Sequence, residues 1–169
     1  MRATEHLEQL VVLRPQWLID QLAKLIADPE TAAALAEAVP GVDQVQLDRL
    51  HRTGIATRDY LTALWGDAET QYLIDFMVET MLAAEFSTGE DGSQHTPRYL
   101  VGSVVAQANN SAEEAFASFP AELVAGIHFP QYLPDGTFQR LVCACVMAAG
   151  AGSKEAPVVG PRNAILWMG

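Results

Sequence analysis

The stretch Glu69–Ala83, ETQYLIDFMVETMLA, decides the fold together with the segment immediately after it. Leu73, Phe76, Met77 and Met81 recur at the spacing of one helical face. Ile74, Val78 and Leu82 adjoin them, and an apolar arc that broad belongs to a helix packed on several sides. The texture then changes. Glu85-Phe86-Ser87-Thr88 and Arg98–Val101 flank a loop rich in Gly, Ser and Asp, which predicts a hairpin with a long tip. Several helices leading into a hairpin predict a winged-helix-like subdomain in an α+β chain.

Upstream, Thr57 is a good N-cap for a short helix carrying Leu61, Leu64 and Trp65. A weaker helical stretch covers Val42–His51, and Thr31–Val39 forms another after Asp28-Pro29. The first helix opens at Pro15, where the missing N–H of proline costs nothing. Leu18, Leu22, Leu25 and Ile26 keep helical spacing, and Trp17 beside them is expected in the core. Downstream, Ser111 and Glu114 form a capping box ahead of a helix at Ala112–Ser118. After Pro120 a second unit is expected. It comprises a strand at Leu123–Phe129, a turn bracketed by Pro130 and Pro134, and a helix over Gly136–Met147 with Phe138, Leu141, Val142 and Cys145 on one face. A flexible loop at Ala148–Pro157 and a strand at Arg162–Met168 complete it. The expected division is thus 10–119 and 120–169. The second unit, one strand pair and one helix, is meagre for a core and reads as cut short.

Composition narrows the function. The chain has 169 residues, half of them hydrophobic, and a formal net charge of -11 from 10 Lys plus Arg against 21 Asp plus Glu. Such a surface repels phosphate backbones and anionic lipid. The helix at Glu69–Ala83 has no Lys or Arg to reach base edges, so no nucleic-acid partner is expected. No apolar run reaches the roughly 18 residues of a spanning helix, so no membrane insertion is expected. Met1–Leu10 carries Glu5, His6 and Glu8 and does not read as a signal peptide. Cys143 and Cys145, the only cysteines, lie too close together to staple a domain, and a reducing cytoplasmic setting fits them. Asn109-Asn110-Ser111 then matches the glycosylation pattern by chance.

Catalytic chemistry is hard to assemble. Gly150-Ala151-Gly152-Ser153-Lys154 lacks the glycine spacing and the Lys-Ser order of a phosphate loop. The cysteines sit two apart on a helix and so do not share a face; one core thiol and one neighbour is the reading. His6, His51, His95 and His128 are scattered. No catalytic residue, cofactor or metal site is assigned.

Val12-Leu13-Arg14-Pro15-Gln16-Trp17-Leu18-Ile19 resembles the opening motif of the COR domain, which follows the Roc GTPase in Roco proteins. Gly54-Ile55 with Leu61 to Trp65, Leu73 to Phe86, and Tyr99-Leu100-Val101 resemble its next elements in order. Phe129-Pro130-x-Tyr132-Leu133-Pro134-x-Gly136-x-Phe138-x-Arg140-Leu141 is similar to the motif opening the second COR subdomain, and Arg162-Asn163-Ala164 to the strand after it. Gly102 stands where the family usually has Pro, and Pro161 where Trp is common. The resemblance implies a scaffold without an active site, whose first subdomain packs on a Roc-type GTPase domain and whose second forms a homodimer. Phe129, Tyr132 and Arg140 are its candidate interface residues. Pro15, Trp17, Leu18, Pro134, Gly136 and Phe138 are candidate structural ones. The alternative is a winged-helix regulatory domain binding nucleic acid or another protein.

Overall fold

The structure, a computed structural model, describes residues 14–87, 96–105, 134, 136–149, 156–160 and 164–166. It is a mixed α/β arrangement with small antiparallel sheets.

Local chemistry sets the helix boundaries. Helix α1 (Pro15–Leu25) has its proline in the first turn. Helix α2 (Pro29–Ala38) is capped by Asp28, whose carboxylate accepts from the Glu30 and Thr31 amides at 3.1 Å and from the Thr31 hydroxyl at 2.8 Å. Those bonds, led by the Thr31 amide, hold the Asp28 carboxyl below its ordinary pKa. Helix α3 (Gln44–Thr53) starts at Asp43, which accepts from the Val45 amide at 3.1 Å. It stops at Gly54, whose φ of 72° is left-handed and open to glycine without steric cost. Strand β1 (Ile55–Thr57) follows, and Thr57 caps helix α4 (Arg58–Trp65) by accepting from the Tyr60 amide at 3.3 Å. Helix α5 (Asp67–Glu79), strand β2 (Ala83–Phe86), strand β3 (Arg98–Val101) and the short helix α6 (Gly102–Val105) come next. Helix α7 (Thr137–Ala149) and strands β4 (Val158–Val159) and β5 (Ala164–Ile165) end the described elements.

The main sheet has the order β1-β3-β2, antiparallel throughout, with Ile55 opposite Leu100, Ala84 opposite Leu100 and Glu85 opposite Tyr99. Strand side chains alternate between faces, and this sheet buries both. Ala56, Ala83, Tyr99 and Val101 join the large core built from α1 to α5. Ile55, Ala84, Phe86 and Leu100 face the other way and join Val142, Cys143 and Val146 of α7, with Val159 of β4.

The hairpin, and helices at each of the described predicted positions, agree with the sequence reading; α6 and β4 stand where no element was predicted, and three further points differ. Strand β1 occupies Ile55-Ala56-Thr57, where only a cap was legible. Trp17 remains 37% exposed and is not a core residue, because α1 turns Leu18, Leu22 and Leu25 inward and leaves Trp17 beside that stripe. Among the described residues the buried tryptophan is Trp65, whose indole N–H donates to the Gln21 carbonyl at 3.0 Å and ties α4 to α1. Helix α7 is rotated from its predicted face. Val142, Cys143 and Val146 are buried, whereas Leu141 is 46% exposed and Cys145 is exposed.

The division at 119 and 120 falls outside the described residues, as do the predicted helix at 112–118 and strand at 123–129. The helix assigned to the second unit nevertheless shares a core with the sheet of the first. Strand β5 lies within the predicted strand Arg162–Met168 and pairs with β4.

Candidate functional site

The candidate interface residues divide. Phe129 and Tyr132 lie outside the described residues. Pro134 and Gly136 are exposed and lead into α7, with the Thr137 amide donating to the Pro134 carbonyl at 3.1 Å and the Arg140 amide to the Gly136 carbonyl at 3.0 Å. Gly136 has a φ of 78°, so a side chain there would be strained although the space is open. Phe138 is half-buried against the second core, and Arg140 is exposed. Phe138 thus packs on the second core, while Arg140 faces solvent. At the other end, Leu18 packs on the first core and Pro15 is exposed.

Helix α7 approaches the sheet closely at one point. A Cβ on Gly102 would stand 3.0 Å from Cβ of Gln139 and 3.5 Å from Sγ of Cys143. Gly102 is therefore where α6 abuts α7. Burial there pushes the Cys143 thiol up to about 11, partly offset by a hydrogen bond from the Gly102 backbone. A thiol so protonated is inert as a nucleophile.

Two polar groupings escaped the sequence reading. In the first, the Arg58 guanidinium donates to Oε1 of Gln71 at 2.7 Å, and Nε2 of Gln71 donates to Oδ1 of Asp75 at 2.8 Å. Arg58 also favours the ionised form of the buried Tyr99 hydroxyl, but burial first, and then Glu85 and Asp75, raise its pKa. Asp75 is only 6% exposed and its Oδ2 is buried without a hydrogen-bond partner. The network ties α4, α5 and β3 together. Its signal in the sequence was an acid set among Leu73, Ile74, Phe76 and Met77, with Gln71 one turn earlier.

In the second grouping, an open cavity of about 510 Å³ is lined by Gln44, Val45, Leu47, Asp48, His51 and Arg52 of α3. Val45 is 68% exposed, and Nε2 of His51 is sealed without a hydrogen-bond partner. Neither grouping presents a nucleophile with a base behind it. Among the described residues no three His, Cys, Asp or Glu side chains converge as metal ligands, and no helix is long and apolar enough to cross a membrane.

Helix α5 carries Asp67, Glu69, Asp75 and Glu79 and no Lys or Arg, and its exposed side includes Tyr72. Exposed apolar side chains also occur on α1 (Trp17, Ile19), just after it (Ile26), on α3 (Val45) and on α7 (Leu141). Among the described residues the surface offers apolar and acidic contacts. No protein family, no curated protein and no solved structure matches the chain.

Proposed function

We propose that this chain is a non-catalytic coupling module of the COR kind. In this reading its first subdomain is winged-helix-like and packs on a Roc-type GTPase domain, and the region from Phe129 onward supports homodimerisation in cytoplasmic signalling. The winged-helix reading draws support from the order α3, β1, α4, α5, β2, β3 and from a sheet in which β3 lies between β1 and β2.

One observation carries the choice of a protein partner over nucleic acid. Helix α5 is the helix that a winged-helix DNA reader would lay in the major groove. Its solvent-accessible acids Asp67, Glu69 and Glu79 and its lack of Lys or Arg oppose a phosphate backbone. A chain that keeps the scaffold without the charge is suited to protein contact.

The test is calorimetric titration with a purified Roc-type GTPase domain. Saturable binding, weakened by Tyr132→Ala with little change in melting midpoint, is the expected result. Absence of binding, beside a salt-dependent shift of duplex DNA, would replace this reading with a nucleic-acid one. GTP alone should neither bind to nor turn over on the chain.

A further inference from the structure

We propose that His51 makes the packing of α2 against α3 acid-sensitive, so that lowering the pH loosens this junction ahead of the rest of the fold. His51 lies in the last turn of α3 and is half-buried, with Nε2 sealed from solvent and without a hydrogen-bond partner. A neutral imidazole keeps its one proton on the other nitrogen and leaves Nε2 as a bare acceptor. Protonation turns Nε2 into a charged donor with nowhere to donate. A buried polar group in that state is costly, and a charged one more so.

The surrounding charges oppose this cost without cancelling it. Asp48, one turn earlier on α3, and Asp28, at the start of α2, both favour the protonated ring. The C-terminal end of α3 favours it too. Arg52 is adjacent and exposed, and Glu30 and Glu37 of α2 are exposed. Strand β1 and helix α6, the other elements packed on α3, contribute no ionisable side chain. Burial outweighs the two aspartates and holds the imidazole below its ordinary pKa.

Proton linkage gives the sign. The unfolded chain binds the His51 proton more readily than the folded one, so the His51 contribution to stability is intact above the unfolded value of about 6.5. It declines as the pH falls below that value toward the depressed folded one.

The experiment is an NMR titration of the His51 ring in the unmodified chain, with melting curves of wild type and His51→Gln across the same pH range. A ring that titrates below its ordinary value, and a shallower fall of the melting midpoint in H51Q, is the expected result. Amide exchange should rise first in α2 and α3 as the pH drops. A ring that titrates at or above its ordinary value would overturn the proposal. So would parallel melting profiles, or exchange that rises equally in the sheet and α5. The ring titration decides the matter even where H51Q fails to fold.

Discussion

Met81 shows how one residue can sit against its own preference. Its φ of 57° is the only positive value among the described non-glycine residues. Its amide donates to the Val78 carbonyl at 3.1 Å, and the Leu82 amide reaches back to the Met77 carbonyl at 2.8 Å. This is the glycine-favouring end of a helix, closed here by a methionine that is 42% exposed. The left-handed conformation costs a side-chain-bearing residue roughly 1–2 kcal/mol, and a glycine returns roughly 0.5–1 of that as unfolded-chain entropy. Met81→Gly should therefore raise stability by about 0.5–1 kcal/mol, read as a higher urea midpoint at constant slope. The two tryptophans of α1 and α4 make a second test. Trp65→Ala should cost about 3–5 kcal/mol, and Trp17→Ala far less. Equal losses in chemical denaturation would put Trp17 back in the core.

At the scale of elements, a polar junction links two helices. Helix α5 is held to α4 partly through Arg58, Gln71 and Asp75. Gln71→Ala would leave the buried Asp75 carboxylate with neither oxygen paired among these groups, a loss of about 1–3 kcal/mol. An unchanged melting midpoint would show that Asp75 finds another donor. The α6–α7 contact depends on the absence of a side chain at Gly102. Gly102→Val would drive its methyls into Gln139 and Cys143 and should cost about 1–3 kcal/mol through overpacking. A variant as stable as wild type would mean that α7 can slide on the sheet.

For the whole molecule, the organising fact is a three-stranded sheet buried on both sides. Helices α1 to α5 cover one face and α7, later in the chain, covers the other. Thiol labelling reports on this directly. Cys145 should react in the native state and Cys143 only after unfolding, because Cys143 is buried against Leu100 and the sheet while Cys145 is exposed. Comparable labelling rates at both thiols would remove α7 from the sheet.

By itself the sequence determined the features written in local chemistry. The cap at Thr57, the first-turn prolines, the period of Leu73 to Leu82, and the hairpin of β2 and β3 each arise from residues near one another in the chain. The acidity of α5 was equally legible. Tertiary structure alone decided which neighbours those elements meet. Strand β1 has three residues, too few for a period, and exists because Ile55, Ala56 and Thr57 find the distant strand β3. The face of α7 was misread because that helix is apolar nearly all round, so its pattern names no inward side until the sheet supplies one. The burial of Trp65, Asp75 and His51, and the exposure of Trp17, have the same origin: solvent access is a property of what packs nearby, and distant parts of the chain do that packing.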